Sequence, residues 1–174
     1  MTRLRLFFAA WPPAQAARAL ARWARDAERA TGGRVTRAET IHLTLAFIGE
    51  VAAERAAQAI EAARSVQGRA HPLPIEQARY WRHNRIVWVG PNETPAPLAA
   101  LAADLKSALG QAGFALEERA FAAHITLIRK AREPRALPAL PAVDWRVDEF
   151  MLVRSALSSE GSSYETVERF PLAA

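Results

Sequence analysis

The chain reads as an α+β protein built from two pseudo-symmetric lobes around a central cleft. Three observations lead there. The pattern His-apolar-Thr-apolar occurs twice, as His42-Leu43-Thr44-Leu45 and His124-Ile125-Thr126-Leu127. The order strand, helix, histidine-bearing strand recurs in both halves, over 4–10, 13–31 and 41–48 and again over 85–90, 95–113 and 121–129. The two histidines lie 82 positions apart. Each lobe is expected to be a small, mostly antiparallel sheet with helices on its outer face. The whole of 1–174 would form one domain of two intertwined lobes.

The elements follow in order. Leu4–Ala10 is an apolar and aromatic strand. Pro13–Thr31 is a helix, with Ala16, Leu20, Trp23 and Ala27 on its buried face, Pro12-Pro13 at its start and Gly32-Gly33 at its end. Ile41–Ile48 is the strand of the first His-Thr pair, ended by Gly49-Glu50, and Ala52–Val66 is an alanine-rich helix. Leu73–Trp81 and Arg85–Gly90 read as strands. Thr94 is placed as N-cap with Pro95 at the first helical position, and Leu98, Leu101, Leu105 and Leu109 mark the buried face that follows. Phe121–Ile128 is the strand of the second pair. Pro134, Pro138 and Pro141 mark an irregular loop. Two strands, Val147–Ala156 and Tyr164–Phe170, close the chain around a turn over 158–163.

Residues two apart on a strand share a side. His42 and Thr44 therefore face one way, as do His124 and Thr126, while the intervening apolar residues face a core. Imidazole exchanges protons near neutral pH, so two of them can serve one reacting centre as acid and base. Threonine hydroxyls suit non-bridging phosphate oxygens, where charge builds. The other two histidines, His71 and His83, lack the pattern and are read as surface residues.

Composition narrows the class. There is no cysteine, which excludes disulfides, thiol nucleophiles and cysteine-held metals. The net charge is +5, and all but two of the 23 basic residues are arginine, which matches phosphate in planar geometry. A polyanionic partner such as RNA fits this surface. No stretch spans a bilayer. Arg3 and Arg5 ahead of an apolar run resemble a signal peptide, but the run is short and Pro12-Pro13 ends it, so a cytoplasmic protein is expected. The nearest acids, Glu39 and Glu50, flank the first motif rather than join its polar face, and no phosphate-cradling glycine loop is present. Neither metal nor other cofactor is expected.

The segments Arg5–Ala9, HLTLAFIGEV from His42, RIVWVG from Arg85 and HITLIR from His124 together resemble the 2H phosphoesterases. Within that superfamily they are most similar to the RNA 2′,3′-cyclic phosphodiesterase branch, also called 2′-5′ RNA ligase. One departure is Ala123, where relatives often carry proline before the second histidine. The resemblance implies metal-independent hydrolysis of RNA 2′,3′-cyclic phosphate ends, tRNA fragments among them, to 2′-phosphomonoesters. Reversal with a 5′-hydroxyl end would join strands through 2′-5′ linkages. It implies His42 as the acid for the departing 3′ oxygen and His124 as the base for water. The residues themselves leave those roles exchangeable. It further implies that Arg129 contacts phosphate, beside Thr44 and Thr126, and the protein is expected to be a monomer with no membrane association. In a regular strand Arg129 would point away from His124, so its reach requires a bend after Leu127. Competing readings are a 2H enzyme for 2′-5′ oligonucleotides, small cyclic nucleotides or an ADP-ribose cyclic phosphate, and an RNA-binding module without catalysis. Arg79–Arg85 mixes aromatic and basic residues and reads as a hairpin turn with Trp81 packed inward. Tyr164 and Phe8 are candidates for stacking a terminal base.

Overall fold

A computed structural model describes residues 2–159 and 161–174. The elements are β1 (Arg3–Ala10), α1 (Ala14–Thr31), β2 (Arg34–Val35), β3 (Leu43–Ala52), α2 (Ala56–Arg64), β4 (His71–Pro72), β5 (Gln77–Trp81), β6 (Ile86–Gly90), α3 (Ala96–Gln111), β7 (Ile125–Arg129), β8 (Arg146–Val147), β9 (Glu149–Ser158) and β10 (Gly161–Pro171). Two four-stranded antiparallel sheets run in the orders β10-β9-β1-β3 and β2-β7-β6-β5, and β4 and β8 form a small ribbon. Among the described residues, no helix is long and apolar enough to cross a membrane.

The strands alternate as their sequences require. On β1, Leu6, Phe8 and Ala10 enter the main core, while Phe7 and Ala9 face the other way and join Met151 and Val153 in a second cluster. The long helices are exchanged between sheets. Helix α1, inserted between β1 and β3 of the first sheet, packs on β2 and β7 of the second. Helix α3, inserted between β6 and β7, packs on α2 and β3. Leu20, Trp23 and Ala27 of α1 are buried, as are Leu98, Leu101, Leu105 and Leu109 of α3. Burying these side chains ties each sheet to a helix from the other half.

Two register shifts set the geometry of the site. Along β1 and β3, Phe8 pairs with Ala46 and Ala9 with Thr44, leaving Leu45 as an extra residue. Along β6 and β7, Val87 pairs with Ile128 and Trp88 with Thr126, leaving Leu127 extra. Both motifs thus carry a bulge immediately after the threonine. A bulge reverses the inside-outside alternation beyond it. Leu127 and Ile128 are consecutively buried for this reason, and Arg129 returns to the side of Thr126.

Several boundaries differ from expectation. Strand β3 continues through Gly49 to Ala52, because Gly49 (φ +87°) accommodates a second bulge at Ile48. Pro74 has no N–H for a ladder, and the strand expected from Leu73 begins at Gln77. Pro95, not Thr94, occupies the N-cap, and no side chain caps α3. The second histidine strand begins only at Ile125. The closing hairpin is longer than expected, reaching Ser158 and restarting at Gly161, and Glu160 of the expected turn lies outside the described residues. His71 is not a surface residue. It is 3% exposed, pairs with Val147, and donates Nδ1–H to the Arg69 carbonyl at 2.8 Å. The extended backbone that Pro72 imposes on His71 suits this pairing. His83 is exposed in the turn after β5, as expected.

Candidate active site

His42 and His124 each stand one residue before their strand begins, at the mouth of a cleft of about 490 Å³. Thr44, Thr126 and Arg129 line the same cleft, so all five sequence-predicted residues converge. The bulge at Leu127 supplies the bend that brings Arg129 round.

Each imidazole is held through the nitrogen that faces away from the chemistry. His42 Nδ1–H donates to the Thr40 carbonyl at 2.7 Å, and His124 Nδ1–H donates to the Ala122 carbonyl at 2.9 Å. A carbonyl only accepts, so each neutral ring carries its proton on Nδ1 and a lone pair on Nε2. The Nε2 of His42 accepts from the Thr44 hydroxyl at 3.1 Å.

The rings around the two histidines differ. His42 stacks on Trp11 at 4.9 Å with 20° between planes, and Phe7 and Tyr164 approach at 5.2 and 5.4 Å. His124 lies 4.6 Å from Trp81 and 6.2 Å from Trp88. Trp81 is half-buried beside the site rather than packed into the core, which corrects its sequence reading. Phe8 is fully buried in the main core and cannot stack a base, whereas Tyr164 lines the cleft.

Burial pushes the His42 imidazole down from 6.5 to about 4. The Thr40 carbonyl opposes this, and the charges of Arg129 and His124 add to it. The His124 imidazole is lowered too, chiefly by burial, with Arg119 and Arg129 adding to the effect against the Ala122 carbonyl. Both rings are therefore neutral at pH 7. Arg129 influences both, and its guanidinium makes no hydrogen bond or ion pair among the described residues.

Two further arginines were not singled out from sequence. Arg34 and Arg37 line the cleft from β2 and the turn after it. Arg37 donates to the Ser162 carbonyl at 3.1 Å, and the Arg34 guanidinium lies against Gly161, so both reach the β9–β10 hairpin. Their only sequence signal is the basic spacing Arg34-x-x-Arg37 ahead of the first motif. Three arginines and no carboxylate line the cleft among the described residues. Such a hollow attracts anions. Among those residues no three His, Cys, Asp or Glu side chains gather to hold a cation.

Comparison with known proteins places the chain in a family. The family model described as LigT like phosphoesterase fits twice, over residues 11–88 and 89–164. The chain belongs to the LigT-like phosphoesterases. The duplicated match coincides with the duplicated motif, one His-x-Thr pair in each unit. The chain is 34% identical over 170 residues to an RNA 2′,3′-cyclic phosphodiesterase of Escherichia coli K12, covering 97% of this chain and 96% of that one. The crystal structure of E. coli LigT in apo form superposes with a TM-score of 0.91 at 32% identity, covering 100% of both chains. E. coli LigT complexed with 3′-AMP gives 0.89 at 32% identity, covering 99% of this chain and 100% of that one. The α+β class and paired units expected from sequence agree with these matches.

Proposed function

We propose that this chain hydrolyses RNA 2′,3′-cyclic phosphate ends to 2′-phosphomonoesters, with His42 as acid and His124 as base. The observation that carries this reading is that both Nε2 atoms belong to rings lining one cationic cleft, each ring fixed through Nδ1. The curated E. coli relative is named for this activity.

The five-membered cyclic phosphate opens by in-line attack, which needs proton acceptor and donor on opposite sides of phosphorus. His124 Nε2 takes a proton from water as the water oxygen bonds to phosphorus. The P–O3′ bond breaks, and O3′ takes the proton from Nε2 of protonated His42. The product is a 2′-phosphate and a 3′-hydroxyl, and solvent restores both protonation states. Each histidine contributes about 10²–10⁴-fold. Thr44, Thr126 and Arg129 hold the non-bridging oxygens, where charge grows. Burial, more than the Arg129 charge, lowers the His42 imidazole, and an anionic phosphate beside the ring offsets that charge and favours its protonated form. The reverse reaction with a 5′-hydroxyl strand would form a 2′-5′ linkage.

A monomer acting on RNA fragments such as cut tRNA, in the cytoplasm, is the setting proposed. The test is a labelled RNA ending in 2′,3′-cyclic phosphate, incubated with folded protein and chelator. Conversion to the 2′-phosphate is expected. Unchanged ends across pH 5 to 9, a window wide enough to bracket imidazole titration, would remove the reading.

A further inference from the structure

Behind His42 lies a second hollow, of about 510 Å³, that the reaction above does not use. The rings of Trp11 and Tyr164 form its wall toward the cleft. Trp11 presents one face to the His42 imidazole, stacked at 20°, and lines the second hollow rather than the cleft. Its Nε1–H is spent on the Glu39 carbonyl at 3.0 Å, so the indole is locked in orientation. Tyr164 stands edge-on to it at 6.0 Å.

The two hollows differ in charge. Among the described residues the cleft carries arginines and no carboxylate, which suits phosphate. The second hollow has Arg146 and Arg169 but also Glu39, Asp148 and Glu149. Glu149 and Arg169 are paired to each other. Exposed carboxylates repel phosphate but accept hydrogen bonds from the amino and imino groups of a base. A fixed aromatic face beside mixed polar groups is the chemistry of a base platform.

We infer that this hollow is a nucleobase subsite, in which a substrate base with an exocyclic amino group stacks on the part of the Trp11 ring that lines it. The inference rests on the cyclic-phosphodiesterase reading and adds the base to its substrate. With ordinary ring spacing on both faces of Trp11, the bound base lies on the order of 10 Å from the His42 ring, about one nucleotide from the reacting phosphorus. The base, the indole and the imidazole then form one continuous stack.

The experiment compares adenosine 2′,3′-cyclic phosphate with ribose 2′,3′-cyclic phosphate lacking a base, in wild type, Trp11→Ala and Thr166→Phe. Thr166 lines this hollow and not the cleft, and phenylalanine there fills part of it. Wild type should show a KM lower for the adenosine compound by on the order of 10-fold. The ratio should collapse toward one in both variants. A ratio that persists in both overturns the subsite. So does Trp11→Ala lowering kcat equally on both substrates with the ratio intact, because Trp11 would then only brace His42. Calorimetry with adenosine 2′-phosphate and ribose 2-phosphate separates the two readings. Base-dependent affinity that both variants lose, without turnover of any cyclic phosphate, keeps the subsite and removes the hydrolase. Turnover with no base dependence keeps the hydrolase and removes the subsite.

Discussion

Replacing His42 by phenylalanine should flatten the acid limb of the protein's stability curve. In the native state the imidazole lies against Phe7, Trp11 and Tyr164, and burial holds it down to about 4. In the unfolded chain it titrates near 6.5. Between those values the unfolded state binds a proton that the native state refuses. Stability is therefore full above pH 6.5 and declines as pH falls toward 4. At about 1.4 kcal/mol per unit, and with solvent screening the exposed edge of the ring, the loss assigned to His42 is about 2–3 kcal/mol. Phenylalanine keeps the ring packing and removes the proton. Its change in packing offsets the curve at every pH but leaves the slope free of this group. Other groups titrate in both proteins, so the difference isolates one. Urea unfolding followed by circular dichroism, at several pH values from 7 to 4, reads it directly. The wild type should lose about 2–3 kcal/mol more than His42→Phe across that range. Parallel curves would refute the claim that the ring is buried neutral.

Arg129→Ala should lower kcat/KM on a cyclic phosphate by on the order of 10²-fold, with Arg129→Lys recovering part of it, because a point charge replaces a planar fork. Steady-state kinetics with a circular dichroism check decides it, and an unchanged kcat/KM contradicts a phosphate contact. Gly33→Ala should destabilise the fold by roughly 1–3 kcal/mol, since Gly33 sits at φ +88° and an added Cβ would come within 2.4 Å of the Arg129 carbonyl. The melting temperature should fall by several degrees, and activity should fall with it as β2 is pushed from β7. Binding of adenosine 2′-phosphate at pH 7 should take up protons, because burial keeps both rings neutral and an anion beside them favours the charged form. Calorimetry in buffers of different ionisation enthalpy measures the uptake, and release of protons would contradict it.

Much of this was legible because the polar motif is short and duplicated. The alternation His-x-Thr-x within apolar runs already separates cleft from core, and the leucine spacing of α3 needs no tertiary information. The position of Arg129 was not legible. Counting along a regular strand points it the wrong way, and only the extra residue Leu127 in the β6–β7 ladder corrects the count. Bulges depend on what the neighbouring strand offers, which a single strand's sequence does not record. His71 failed for a related reason: its partner, Val147, lies far along the chain. Trp81 read as core because aromatic residues in strands usually are, yet its strand lies at the edge of its sheet beside His124. The contributions of Arg34 and Arg37 depend on the hairpin of β9 and β10 folding back over them. The exchange of α1 and α3 between sheets leaves no mark in either helix, since an apolar face fits either sheet.

The most direct trial of the central claim is a double-mutant cycle of His42→Ala and His124→Ala on an RNA 2′,3′-cyclic phosphate end. If the two rings serve one phosphorus, each single variant loses at least about 10²-fold in kcat, and the double variant is little worse than either. Full activity in either folded single variant, or losses that simply multiply, would contradict it.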